Sequence, residues 1–153
     1  RPSVGKTAFA LNLARNAAVE FNEPVGFFSL EMTSMELMDR LIATESGISS
    51  DKLKGKLKLL PDEWQILEQS AGRIAKAPLY IDETPGITLT EFVAKAKRLV
   101  REKGVKIIFV DYLQLMHSGK PQVGCFSKVQ EVTEISNTLK TTAKEQKPDE
   151  SNG

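Results

Sequence analysis

Apolar positions along the chain follow two periods, one near 3.6 and one continuous, and the two alternate. Phe9, Leu13, Ala17 and Phe21 recur every fourth residue with Ala10, Ala14 and Ala18 beside them, which predicts a helix from Lys6 to about Phe21 that buries this face. The segment PVGFFSLEM (Pro24 to Met32) is a short unbroken apolar run bounded by proline and polar residues. Such a run reads as a strand covered on both faces, and here it ends on the carboxylate of Glu31. Thr33 and Glu36 form the T-x-x-E capping box ahead of Leu37, Leu41 and Ile42, predicting a helix over 34–45 closed by Gly47. Residues 49–60 (SSDKLKGKLKLL) are lysine-rich and poorly periodic, a solvated surface connection. Pro61, Asp62 and Glu63 then mark a helix start, and Trp64, Leu67, Ala71 and Ile74 at 3-4-3 spacing carry that helix to about 76.

The second half repeats the theme. PLYID (Pro78 to Asp82) reads as a strand and ETPG as the turn after it. Thr88 and Glu91 give another capping box, and Phe92, Ala96, Leu99 and Val100 a helix ending at Gly104. VKIIFVD (Val105 to Asp111) reads as a fully buried strand running into an aspartate. A Gly- and Pro-containing loop, HSGKPQVGCFS (117–127), precedes a last helix through Val132, Ile135, Leu139 and Ala143 to about Glu145. QKPDESNG offers nothing to a core, so the expected organisation is one domain over 1–147 and a disordered polar tail over 148–153. Helices alternating with apolar strands predict parallel βαβ units in a three-layer α/β domain.

Composition narrows the classes. With 153 residues and 41% hydrophobic content the chain can bury one real core. A formal net charge of +1 gives no global electrostatic argument for nucleic acid or an anionic membrane, so any DNA contact has to come from local loops or from assembly. The single cysteine, Cys125, excludes an internal disulfide and has no second cysteine with which to build a metal site. No apolar run approaches the roughly 20 residues of a membrane span, and the N-terminus lacks a signal-peptide core. The expectation is a cytoplasmic protein without membrane contact.

Candidate chemistry sits at three places. SVGKT followed at once by a helix is the loop-to-helix half of the phosphate-binding pattern G-x-x-x-x-G-K-[ST], whose first glycine would fall one residue before Arg1. In that pattern the backbone of Ser3, Val4, Gly5, Lys6, Thr7 and Ala8 cradles the phosphates of ATP. Lys6 reaches the terminal phosphates and the Thr7 hydroxyl ligates Mg²⁺. IIFVD describes a strand whose terminal carboxylate, Asp111, holds Mg²⁺ through water. With GKT upstream, that reading outweighs a buried strand ending in a turn-forming Asp. Glu31, at the strand end where open α/β sheets place their ligands, could polarise the water that attacks the γ-phosphate. On spacing alone, it belongs rather to the surface cap of the following helix.

RPSVGKT, FFSLEM, LYIDETPGIT and above all IIFVDYLQLM resemble the C-terminal motor domain of the DnaB-type replicative DNA helicases, hexameric RecA-fold ATPases, from Arg1 to about Glu145. The resemblance implies a three-layer RecA-like P-loop NTPase fold with a mostly parallel sheet, truncated at both ends. It implies ATP hydrolysis between neighbouring subunits of a hexameric ring, with one DNA strand passing through the channel. Carried over by position, Lys6 and Thr7 match the phosphate-binding lysine and the Mg²⁺-binding threonine. Glu31 matches the catalytic glutamate and Asp111 the metal-binding aspartate. Gln114 lies in the DYLQ continuation without a separate chemical role. The loop 117–130 corresponds to a channel-facing region where Lys120 and Lys128 are candidates for phosphate contacts with single-stranded DNA. The family pattern there is rich in Arg and Gln whereas this chain reads GCFSKVQE, so as lone surface lysines the two read rather as solvated. Implied partners are single-stranded DNA, identical subunits, primase and a helicase loader.

The family's fold also calls for a strand before Arg1, a strand after the last helix and a downstream arginine finger. The expectation is therefore a piece of a longer reading frame, inactive alone, whose retained strands keep an exposed apolar edge. Other readings are a truncated paralogue that binds nucleotide or a ring subunit without catalysis, and a RecA-like recombination or repair ATPase, against which DYLQLM speaks. A small-molecule kinase of the P-loop class is weaker still, since nothing points to an acceptor.

Overall fold

The computed structural model describes residues 4–111. The expectations for Ser3, Gln114, Lys120, Lys128, the 117–127 loop, the last helix and the tail concern residues outside that range. Helix α1 spans Val4–Arg15 and continues into a π-helical turn, Asn16–Glu20. Strand β1 (Val25–Ser29) leads to α2 (Ser34–Ser46), the one-turn helix α3 (Ser50–Leu53) and α4 (Pro61–Lys76). Strand β2 (Leu79–Asp82), helix α5 (Leu89–Lys103) and strand β3 (Ile107–Asp111) complete the order.

The three strands form a parallel sheet in the order β2-β1-β3, with Val25 level with Leu79 on one side and Ile107 on the other. The β1-to-β2 connection runs over one face through α2, α3 and α4. The return from β2 steps past β1 to β3 over the other face through α5. Opposite directions on opposite faces give both crossovers the same hand, as the twist of parallel strands requires.

Every residue of β1 is buried, because both faces are covered. Val25 and Phe27 point into a cluster with Leu11, Ala14 and Ala18 of α1, Leu37 and Leu41 of α2 and Ile74 of α4. Phe28 points the other way, to Ile87, Leu89, Phe92 and Ala96, and meets the Phe92 ring edge-on at 4.6 Å between centroids. Each fully buried side chain of this size contributes roughly 1.5–3 kcal/mol. Gly26 shares the α5 face, where an added Cβ would come within 3.3 Å of Leu99 Cδ1, so a bare backbone is what lets α5 lie this close.

The helix ends follow the capping chemistry. Thr33 Oγ1 accepts from the Glu36 amide while Glu36 Oε2 accepts from the Thr33 amide at 3.0 Å, and Thr88 and Glu91 repeat the arrangement. Gly47 and Gly104 close α2 and α5 in the left-handed region, which only glycine adopts freely. Glu63 reaches back to the Leu60 amide at the start of α4, with Pro61 in the first turn.

Five expectations are corrected. The buried stripe of α1 is Thr7, Leu11, Ala14 and Ala18, whereas Phe9 is 66% and Phe21 75% exposed. Thr7 has to face the sheet, and the small Ala14 and Ala18 let the helix lie against it, so the larger residues turn outward. On α4 the buried residues are Ser70 and Ile74, and Trp64 is 60% exposed. Strand β3 is half-buried rather than fully buried, since it lies at an edge of the described sheet with Ile107 open to solvent. Strand β1 stops at Ser29, two residues short of Glu31, and the 49–60 connection contains the turn of helix α3.

A charged network ties three helices together on the α1 face. The Glu45 side chain of α2 is 1% exposed and pairs with Arg15 of α1 and Arg73 of α4. Arg15 also holds Glu20 at 2.9 Å. Removing the shared carboxylate leaves the two guanidiniums with Glu20 as their remaining shared partner. Glu45→Ala is expected to cost about 3 kcal/mol in urea unfolding, the low end for a broken buried pair because Glu20 still pairs with both and Arg73 is half exposed.

The capping carboxylates make stability depend on pH. The Thr33 amide and then its hydroxyl hold Glu36 below the usual glutamate range, and Thr88 does the same for Glu91. A lowered folded value gives stability that is complete above the unfolded value and lost as pH falls through the folded one. Unfolding measured between about pH 7 and about pH 3 is therefore expected to lose less stability on acidification in the double variant Glu36→Gln, Glu91→Gln than in the wild type.

Candidate functional site

Parallel pairing brings the C-terminal ends of all three strands to one edge of the sheet, with Ser29 level with Asp111 and Phe28 with Asp82. The first turns of α1 arrive at the same edge. There the Thr7 hydroxyl donates to Asp111 Oδ2 at 2.6 Å, joining residues 104 positions apart. Thr7 is 4% and Asp111 5% exposed, in a molecule whose buried polar residues, among those described, number four. Burying a carboxylate without a partner is costly, and the hydroxyl supplies one.

Around this pair the backbone is pinned. The Leu30 amide donates to the Asp111 carbonyl at 2.7 Å, extending the β1–β3 pairing one residue past the strand. Ser29 is buried, and its hydroxyl donates to the Met32 carbonyl at 2.7 Å and accepts from the Met32 amide at 3.2 Å. The result is a tight turn with the exposed Glu31 on it. This turn forms one wall of a cleft of about 570 Å³ whose other wall is Ile81 to Pro85.

The far wall has its own polar set. Asp82 accepts from Lys95 of α5 at 2.6 Å and from the Thr84 hydroxyl at 2.6 Å. Partial burial by itself would raise the Asp82 carboxyl, but the Lys95 and Thr84 hydrogen bonds outweigh it and hold the group below the usual carboxylate range. Glu83 crosses the cleft and accepts from the Ser34 amide at the start of α2. Ser29 lies within FFSLEM and Asp82, Glu83 and Thr84 within LYIDETPGIT, but the sequence attaches no chemical role to any of these four or to Lys95. The D-x-T spacing of Asp82 and Thr84 is the one local signal, since Asp side chains commonly bond two residues ahead.

Of the residues singled out from sequence, Thr7 and Asp111 are in direct contact. Glu31 lies in the turn that follows β1, beside the Leu30–Asp111 link. Gly5 and Lys6 are exposed in the first turn of α1, which begins at Val4, two residues before the expected start. Ala8 is half-buried and borders a second cleft, of about 400 Å³, between α1, α2 and α3. The Thr7 hydroxyl and the Asp111 carboxylate form an all-oxygen donor pair. That suits Mg²⁺, which takes one or two protein oxygens and fills its shell with water and phosphate. No group of three or more His, Cys, Asp or Glu side chains that could hold a metal occurs among the described residues.

A parallel β2-β1-β3 sheet between helical layers is the architecture of RecA-like helicase ATPase domains. A solved structure described as a DnaB-like replicative helicase and its interactions with primase superposes with a TM-score of 0.82 at 32% identity, over 95% of this chain and 34% of its own. The chain belongs to the DnaB-like helicase C terminal domain family, whose model matches residues 1–148. Replicative DNA helicase DnaB of Geobacillus stearothermophilus is 44% identical over 146 residues, and replicative DNA helicase DnaC of Bacillus subtilis (strain 168) is 43% identical over 146. In both, the match covers 95% of this chain and 31% of the relative, so the chain spans about a third of their length. Among the described residues no helix is long and apolar enough to cross a membrane.

The Thr7–Asp111 contact is testable as structure. Thr7→Val keeps the shape but removes the donor, and is expected to cost about 1–3 kcal/mol in urea unfolding. Thr7→Ser keeps the hydroxyl and is expected to stay within about 1 kcal/mol of the wild type.

Proposed function

We propose that this chain is the nucleotide-binding part of the motor of a replicative DNA helicase, which couples ATP hydrolysis to the unwinding of duplex DNA at the replication fork. The observation that carries the reading is the buried Thr7–Asp111 hydrogen bond, which supports a divalent-cation site built from two sequence-distant motifs. In this reading the α1 N-terminus and the backbone of residues 3–8 receive the phosphates. Among the described residues nothing lies within 4 Å of a Cβ built on Gly5, so packing against them does not account for a glycine there. Close approach of a phosphate to the backbone does.

Lys6, exposed at the same turn, pairs with the terminal phosphates. The Thr7 hydroxyl and the Asp111 carboxylate, which face each other here, would be the protein oxygens that hold the cation. Mg²⁺ bound with ATP supplies charge neutralisation on the phosphoryl group being transferred. Glu31 orients the attacking water and accepts its proton. Residues 1–147 act as one partial motor domain with 148–153 as a tail. The partners are identical subunits of a hexameric ring, single-stranded DNA, for which Lys120 and Lys128 are the candidate contacts, primase and a loader, in the cytoplasm.

The test is binding of a fluorescent ATP analogue to the chain with and without Mg²⁺. Lys6→Ala and Asp111→Asn are each expected to weaken Mg²⁺-dependent binding by about tenfold or more, on the order of 1.4 kcal/mol. Binding that ignores chelation of Mg²⁺ and both substitutions would overturn the reading.

A further inference from the structure

Resting on the reading of Glu31 as the water-activating carboxylate, we propose that Ser29 and Glu83 are its positioning residues. A general base has to be held within hydrogen-bond reach of its water, yet Glu31 is exposed and sits outside any regular element. Its placement therefore depends on what fixes the backbone of residues 30–34, which, besides the capping box at Thr33, is fastened at three points. Leu30 is tied to β3 through the Asp111 carbonyl, next to the proposed cation site. Ser29 closes the turn from inside, its hydroxyl engaged by both the carbonyl and the amide of Met32. Glu83 closes it from outside, its carboxylate taking the Ser34 amide across the cleft.

Each fastening suits its residue type. Ser29 is the last residue of the central strand and points to the α1 face, where β1 otherwise places Val25 and Phe27. A hydroxyl at this apolar position is accounted for by the two bonds to Met32, and alanine could make neither. Glu83 is exposed, but the loop that carries it is fixed, because Asp82 engages Lys95 and both the amide and the hydroxyl of Thr84. The turn bearing Glu31 is thus held between β2 and β3, the two strands that flank β1. Neither Ser29 nor Glu83 touches the reacting atoms in this account. They set where the Glu31 carboxylate stands.

The test compares Glu31→Gln, Ser29→Ala and Glu83→Ala in the whole protein that carries this chain. ATP turnover is measured as kcat and KM separately, alongside amide exchange and thermal unfolding. Glu31→Gln is expected to lower kcat by about a hundredfold or more with KM unchanged. Ser29→Ala and Glu83→Ala are expected to lower kcat by about tenfold with KM within about twofold, since a displacement near 1 Å is enough. Amide exchange should speed up at Met32 in the first variant and at Ser34 in the second, a change confined to the turn. Should Ser29→Ala unfold the protein, the surface variant Glu83→Ala carries the test. If Glu31→Gln is impaired while Ser29→Ala and Glu83→Ala turn over like the wild type, the positioning proposal is wrong and the reading of Glu31 stands. If Glu31→Gln itself keeps its kcat, the reading of Glu31 fails and the positioning role falls with it.

Discussion

Burial of β1 on both faces is the constraint from which the rest of this structure follows. A parallel strand covered on two sides has to present apolar residues to both, and Val25, Phe27 and Phe28 do so with no exposed position among five. That fixes α1, α2 and α4 on one face and α5 on the other, and it fixes the register of β2 and β3 against β1. A slip of one residue would turn Phe28 toward the wrong layer. The same register sets the polar end of the sheet. Once Val25 is level with Ile107, Ser29 is level with Asp111, and the carboxylate falls on the face that α1 covers.

Most of the local structure could be read because its causes are local. Both T-x-x-E boxes and both closing glycines involve residues three or four apart, and the structure contains each of them. The three strand segments are apolar runs between clear breaks, and they differ from expectation in their ends and in the half-burial of β3. The phase of α1 was not readable in the same way. Phe9, Leu13, Ala17 and Phe21 make a regular stripe, and so do Thr7, Leu11, Ala14 and Ala18. Hydrophobicity favours the first, while the need of Asp111 for a buried donor and of the sheet for small residues beneath the helix selects the second. Trp64 fails for a related reason, since the core under α4 is reached by Ser70 and Ile74 near its C-terminal end.

The candidate site divides along the same line. The Thr7–Asp111 contact spans 104 positions, yet it was foreseeable because each residue sits in a short pattern with a known chemical use. Ser29, Glu83 and Lys95 belong to no such pattern. Their partners lie on the next turn, on another loop or on another helix, and only the folded chain brings them together. The Glu45 network is the extreme case, because a carboxylate in the last turn of an amphipathic helix reads as solvated until Arg15 and Arg73 are found beside it.

Helix α2 is held at both ends by these unpatterned contacts. Its first amide is taken by Glu83 from the β2–α5 turn, and near its other end Glu45 joins Arg15 of α1 and Arg73 of α4. Thr7 and Arg15 lie on one helix, so α1 is tied to β3 at its start through Thr7 and to α2 at its last residue through Arg15. The turn bearing Glu31 lies inside the loop of contacts that results, bounded by α1, α2, β3 and the β2–α5 turn. In a closed loop of this kind, moving one member strains the others, because packed elements shift between discrete arrangements rather than deforming smoothly. A change at the Thr7–Asp111 pair therefore has a direct mechanical route to Glu31, through the Asp111 carbonyl and the Leu30 amide, that passes through no mobile side chain.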